Sequence, residues 1–372
     1  MTNVKKIFEI LKIIFLFKFD FFFPKKKKFL LFDDNHRNYI LKYLDQENLN
    51  ILHIRKEKIN FPIVLSNFLK LKFTFIDYLE TFIDLAEPKY IITFSDNSES
   101  FFLLKKREKS KKILIQNGWK NKYNDSTLNI QNEKYHSDYL FVFNEKIGNI
   151  YGKLLGCKST VIGSFKSNCY KLNEKKKKYS ILFISSFRNI KPSELMVDRI
   201  TYKEYDKTHK QAVKEISDFA IKNKVKLYIY GNDQFYPLKE KKYFEQLNLK
   251  SDWEFKNNNR PETYNIIDQA DFIVGTHSTA MYEAIGRNKK VFIFSKNFNN
   301  QILNTHKFGW PYDFGKEGFF WVNNFSNKDS IQKKIAMVFN LNQLDWNKKI
   351  WDIRGKLMDF DHGNKKFINL IN

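Results

Sequence analysis

The densest set of residues able to do chemistry lies between Phe272 and Phe294. Phe272, Ile273 and Val274 form a buried-strand run, Gly275 lets the chain turn, and Ser278 and Thr279 stand where a helix N-cap belongs. Val291 to Phe294 then returns to the sheet. A loop of this kind offers free backbone N–H groups, two hydroxyls and the positive end of a helix dipole, which suits an anion and most naturally a phosphate. Glu283, one helical turn past Thr279, is placed to reach a ribose hydroxyl. His277, inside the loop, could donate to a departing phosphate. Taken alone, such a unit reads equally as an ordinary capped helix.

Other strand ends supply what a nucleotide diphosphate would need. Ser186 and Arg188 follow one apolar run and Gly231 follows another, so Arg188 is expected to neutralise phosphate charge beside Gly275, Ser278 and Thr279. In the first half of the chain the strand ends carry Asp33 and Asp34, then Ser95, Asp96 and Asn97, then Gln116, Asn117 and Gly118. An acceptor hydroxyl must lose its proton during group transfer, and Asp96 is the preferred general base. Asn97, Gln116 and Asn117 would orient the acceptor. Asp96 reads equally as the N-cap of the helix after it. Neither the P-loop nor the G-x-G-x-x-G signature occurs, and no metal-ligand or G-x-S-x-G set is visible.

Those loops require a scaffold of alternating strands and helices. Phe29–Phe32, Ile51–Ile54, Tyr90–Phe94, Ile113–Gln116 and Tyr139–Phe143 read as strands, and residues 62–86 carry helical periodicity in two pieces. The pattern restarts with Ser180–Ile184 and Lys226–Tyr230, so the fold class is α/β. Two Rossmann-like parallel-sheet domains are expected to face each other across a cleft, with ligands at the carboxyl ends of the strands. The boundaries read as an amphipathic N-terminal helix over 1–27, a first domain over 28–164 and a linker over 165–179. A second domain follows over 180–342, then a closing helix and tail over 343–372.

Composition narrows the function. A hydrophobic content of 42% with 17% aromatic residues excludes a disordered chain. The net charge of +24 comes almost wholly from lysine, with eight arginines among 65 basic residues. Nucleic-acid readers favour arginine and basic-aromatic strand motifs, so no nucleic acid partner is expected. Two cysteines make no disulfide framework and point to a reducing, cytoplasmic setting. Residues 7–23 are apolar but interrupted by Glu9, Lys12, Lys18 and Asp20. They are too broken to span a bilayer, and with Lys25–Lys28 they suit peripheral contact with the inner face of the cytoplasmic membrane. Packing on the protein itself is the alternative.

The motifs Tyr90-Ile-Ile-Thr-Phe-Ser-Asp-Asn-Ser98, Ile113-Leu-Ile-Gln-Asn-Gly118 and Gly275-Thr-His-Ser-Thr-Ala-Met-Tyr-Glu-Ala284 occur in an order that resembles bacterial surface-carbohydrate biosynthesis proteins of the GT-B glycosyltransferase type. The resemblance covers residues 28 to about 358. It implies a metal-independent transferase needing no cofactor, with a nucleotide-sugar donor on the C-terminal half and a glycan or lipid-linked glycan acceptor on the N-terminal half. It also implies work on O-antigen or capsule. A CDP-polyol phosphotransferase of the same fold and a non-catalytic membrane-associated scaffold are the alternatives.

Overall fold

Short runs of Ile, Leu, Phe and Val must be covered on both faces, so they settle as parallel strands between layers of helix. The computed structural model describes residues 18–372 except 56, 121–131, 174–176, 192, 195–200, 260–261, 277, 296–307, 316, 324 and 326. In chain order the first strands are β1 (Lys18–Asp20), β2 (Phe29–Phe32), β3 (Leu49–Leu52), β4 (Lys58–Asn60), β5 (Tyr90–Thr93), β6 (Lys111–Ile115), β7 (Tyr139–Val142) and β8 (Lys158–Val161). β1 and β4 form a small parallel pair, and the others make a parallel sheet in the order β3-β2-β5-β6-β7-β8. Its register sets Phe29 beside both Leu49 and Tyr90. Every residue of β2 is buried.

The second half holds β9 (Tyr179–Ile184), β10 (Leu227–Tyr230), β11 (Trp253–Lys256), β12 (Ala270–Thr276), β13 (Val291–Phe294) and β14 (Trp321–Val322). Their order, β11-β10-β9-β12-β13-β14, is also parallel throughout. It is the doubly wound arrangement in which the strand order reverses between β9 and β12, where ligands bind in open α/β sheets. In the first sheet the reversal lies between β2 and β5. Each domain has its own apolar core. The expected two-domain α/β class is therefore observed.

Several boundaries differ from the sequence reading. Lys18–Asp20 is a strand rather than the end of a helix, because it pairs with Lys58–Asn60 while the Asn60 side chain donates to the Phe22 carbonyl at 2.7 Å. Residues 1–17 lie outside the described residues. The expected linker begins with a short helix, Phe165–Asn168, whose Phe165 is buried among first-domain residues. Helix Gln343–Leu357 packs Trp346 and Ile350 into the second core. The chain then crosses back, and helix Lys365–Ile371 buries Phe367 and Ile371 in the first domain. The final residues are thus a structural part of the first domain and not a tail.

The crossing back is held by backbone. Asp359 N–H donates to the Phe143 carbonyl at 3.3 Å, Asp361 N–H donates to Ile162 at 3.2 Å, and Gly163 bridges Phe360. Gly163 has φ +72°, and a Cβ there would collide with the Asp359 carbonyl oxygen. Gly163→Ala should therefore lower the unfolding free energy by about 2–4 kcal/mol, measured by urea denaturation. An unchanged midpoint would show that the returning segment does not need this close approach.

Candidate functional site

At the switch point of the second sheet, β12 runs on through Gly275 and Thr276 instead of turning at Gly275. The glycine is needed for proximity: a Cβ would meet Met281 Sδ at 2.8 Å and the Ile184 carbonyl at 3.1 Å. That closeness lets Thr276 Oγ1 share a 2.6 Å hydrogen bond with Ser186 Oγ from the loop after β9. Ser278 is the N-cap of helix Thr279–Gly286, but its side chain makes no capping bond. Its hydroxyl oxygen is buried with no hydrogen-bond partner among the described residues. A buried hydroxyl left unsatisfied at a helix N-terminus is costly and suited to a ligand oxygen. Arg188 lies two residues past Ser186 with its side chain exposed, and its backbone N–H donates to Tyr202. His277 lies outside the described residues.

The loop after β10 is organised around a carboxylate of its own. Gly231 leaves room for Glu240, whose oxygens accept from the N–H groups of Asn232 and Asp233 at 2.8–2.9 Å. Burial pushes the Glu240 carboxyl up, opposed by its bond from Ser185 and by those two amides. Gly231 therefore supports this internal anchor.

On the first domain, Asp96 is buried and does not cap the following helix, whose N-cap is Ser98. One carboxylate oxygen accepts from Asn117 N–H at 2.8 Å, and the other pairs with the buried Lys120 ammonium at 3.0 Å. Gln116 is a bracket rather than an acceptor contact: its Oε1 accepts from Phe143 N–H at 2.9 Å and its Nε2 donates to the Gly118 carbonyl at 3.0 Å. Asn117 Oδ1 accepts from Lys166 at 3.2 Å, while Asn97 is exposed. Asp33, the alternative carboxylate, is fully used by Arg55, Ser95 and the Asn35 amide.

The two sets meet directly. Trp119 N–H donates to Thr279 Oγ1 at 2.9 Å, and the Trp119 and Tyr282 rings stack with centroids 3.5 Å apart. Thr279 was expected to hold phosphate, but its hydroxyl receives the first domain instead. Glu283 was expected to face a ribose; it is buried and accepts from Ser164 Oγ at 2.6 Å. Burial and this carboxylate push the Tyr264 hydroxyl up, and Tyr264 is hydrogen-bonded to Glu283 as well. Thus the cleft expected between the domains is closed at this point by Trp119; Ser278 directly precedes its partner Thr279, and Asp96 binds Asn117 and Lys120, which flank Trp119 in the chain. Lys120, Trp119, Tyr282 and Ser164 were missed by sequence reasoning. Nothing local marks them, since their importance comes from partners far along the chain. Among the described residues no cluster of three or more His, Cys, Asp and Glu could hold a metal ion.

This paired arrangement of parallel sheets is the GT-B fold. Residues 113–372 match the model of a family described as "putative O-antigen biosynthesis protein". No curated protein sequence matches the chain. A variant of the wall teichoic acid polymerase TagF is 12% identical over 93% of this chain and 89% of that one, with a TM-score of 0.53. The S. aureus MnaA complex with UDP is 14% identical over 93% of this chain and 94% of that one, with a TM-score of 0.52. An S. aureus TarM mutant in complex with Fondaparinux, alpha-GlcNAc-glycerol and UDP is 15% identical over 80% of this chain, at a TM-score of 0.45. This chain spans 59% of that one's length.

Behind the Ser186 loop sits a buried histidine. His209 Nε2 accepts from Ser186 N–H at 3.3 Å, so the proton lies on Nδ1, which faces Tyr243 Oη at 2.8 Å; Tyr243 in turn donates to Asp206 at 2.7 Å. Burial lowers the His209 pKa to about 4. Unfolding restores an ordinary value near 6.5, so the unfolded chain binds the extra proton between those limits. The stabilisation is complete above pH 6.5 and is lost as the pH falls toward 4. From pH 7.5 to pH 5 the unfolding free energy should drop by about 2 kcal/mol through this group. Urea denaturation of His209→Gln should show a markedly smaller drop, and an equal drop in both proteins would remove His209 as its source.

Proposed function

The chain belongs to this O-antigen biosynthesis family, and on that premise we propose that it is a glycosyltransferase that moves a sugar from a nucleotide to a surface-polysaccharide acceptor. The observation that carries the reading is the unpartnered, buried Ser278 hydroxyl heading helix Thr279–Gly286 at the reversal of strand order. The diphosphate of the donor is assigned to that hydroxyl and to the amides opening the helix, with Ser186 alongside. Arg188, exposed two residues farther on, is free to swing toward the phosphates. The helix dipole and these donors would stabilise charge on the departing nucleotide without a divalent ion.

The acceptor is assigned to the first domain. Its hydroxyl oxygen would attack the anomeric carbon as the bond from that carbon to the phosphate oxygen breaks. The electron pair leaves with the nucleotide, and the hydroxyl proton passes to Asp96. Lys120, 3.0 Å from Asp96, and the Asn117 amide hold that carboxylate in place. Because Trp119 closes the seam onto Thr279 and Tyr282, donor entry would require this contact to loosen. A lipid-linked glycan is the acceptor class that fits the family.

Thermal-shift measurements with UDP-, GDP-, CMP- and CDP-linked ligands should give a stabilising response to one class of nucleotide-sugar. A response confined to CDP-polyols would replace sugar transfer with polyol-phosphate transfer, and silence on every ligand would favour a scaffold without chemistry. With the donor known, Ser278→Ala should weaken nucleotide binding about tenfold, the worth of one hydrogen bond to a charged group. Asp96→Asn should leave binding intact and reduce kcat by about a hundredfold or more. Normal turnover in Asp96→Asn would exclude it as the base.

A further inference from the structure

Helix Phe61–Leu69 has an apolar stripe that faces away from the protein. Phe61, Val64, Leu65, Phe68 and Leu69 follow the spacing of one helical face, yet they are 44–74% exposed, while Ile63 on the opposite side is fully buried. Amphipathic helices normally turn that stripe to the core. The exposed face continues through Leu71 and Phe73 to Phe75, and through Phe21, Phe22 and Phe23 just after strand β1. Phe21 and Phe61 rings lie 5.9 Å apart, and Phe68 and Phe73 rings 6.1 Å apart, so the face is contiguous. Patches of this size on soluble surfaces mark an interaction site.

The rim is cationic. Lys70 and Lys72 are exposed at the turn of the helical hairpin made by helices Phe61–Leu69 and Phe75–Ala86, and Lys25, Lys26 and Lys28 are exposed after the phenylalanines. Between Lys58 and Ile76 there is no acidic residue. Asp20 is paired with Lys58 at 2.9 Å, and Asp77 is taken by the amide and hydroxyl of Thr74. Beneath the hairpin a groove of about 510 Å3 is lined by Val64, Phe68, Phe73 and Phe75. It shares His53 and Lys58 with a neighbouring cavity of about 900 Å3 that Lys25, Lys27 and Arg37 line. Apolar and cationic surfaces therefore lie side by side.

We propose that this face docks the protein on an anionic lipid bilayer. Phe61, Leu65, Phe68, Leu69, Leu71 and the Phe21–Phe23 run enter the headgroup–acyl boundary, and the lysine rim meets lipid phosphates. A second copy is a poor occupant, because a two-fold contact would press two lysine rims together. Residues 1–17 join at Lys18 on the edge of the same face, and their sequence also mixes Ile, Leu and Phe with Lys5, Lys6 and Lys12. The docking face lies on the folded domain itself and does not depend on which group is transferred.

Co-flotation of the full chain with phosphatidylcholine vesicles, with and without phosphatidylglycerol, tests the assignment. Binding should require the anionic lipid and weaken with salt. Leu65→Glu/Phe68→Glu should lower the vesicle-bound fraction about tenfold or more, with an unchanged melting temperature because both side chains are exposed. Should that variant misfold, Leu65→Ser/Phe68→Ser gives the same readout more gently. Lys70→Glu/Lys72→Glu should reduce binding to the anionic vesicles and flatten its salt dependence. Parental flotation of folded hairpin variants overturns the proposal. So does loss of flotation in Ile10→Glu/Ile14→Glu alone, or a hairpin variant that changes the sedimenting mass but not flotation. No sugar donor is present, so the outcome is separate from the proposed transfer activity.

Discussion

The arrangement of the two domains depends on the buried ion pair between Arg287 and Asp268. Arg287 Nε donates to Asp268 Oδ1 at 2.8 Å and its terminal nitrogen meets Asp268 Oδ2, forming a two-point pair almost wholly out of solvent. The remaining N–H groups donate to the carbonyls of Ser167, Tyr170 and Lys171 at 3.1–3.2 Å. Those carbonyls belong to the chain leaving the first domain. A guanidinium removed from water is tolerated only when every donor is answered, and here the answers come from both domains at once. The interdomain geometry is thus tied to a local demand for charge satisfaction.

Arg287 follows directly on helix Thr279–Gly286, and that helix carries the seam from end to end. Thr279 accepts from Trp119, Tyr282 lies against the Trp119 ring and Glu283 accepts from Ser164. The N-terminus of a helix suits an anion, but this one is aimed by a domain that does not contain it. Asp96 is tied to the loop Gln116–Lys120 that makes these contacts, through the Asn117 amide and the Lys120 ammonium. Chemistry assigned to the two halves separately is coupled because one helix serves both.

The strands that were legible are those whose composition leaves one environment open to them. Phe29–Phe32 and Val291–Phe294 are apolar throughout, Tyr90–Thr93 is apolar up to its last residue, and all three are buried. Lys158–Val161 and Trp253–Lys256 escaped notice because they lie at sheet edges, where half-exposed positions carry Lys, Ser, Thr and Glu. Helix Phe61–Leu69 has an unmistakable helical period, but its stripe points outward, and a period says nothing about which way it faces. The returning helix Lys365–Ile371 offered only Phe367, Ile368, Leu370 and Ile371 within seven residues, too brief a pattern to separate from a tail.

By itself the amino-acid sequence determined the α/β class, the alternation of strands and helices, and the loops where polar residues gather. These follow from burial periodicity and turn chemistry, which act over a few residues. The tertiary structure alone decided which polar groups were left for a ligand. Thr279 and Glu283 look like ligand contacts in one dimension, but Trp119 and Ser164, more than a hundred residues away, occupy them. Ser278 stays unanswered. A hydroxyl's availability depends on the nearest donor or acceptor in space, and only the folded chain supplies that neighbour.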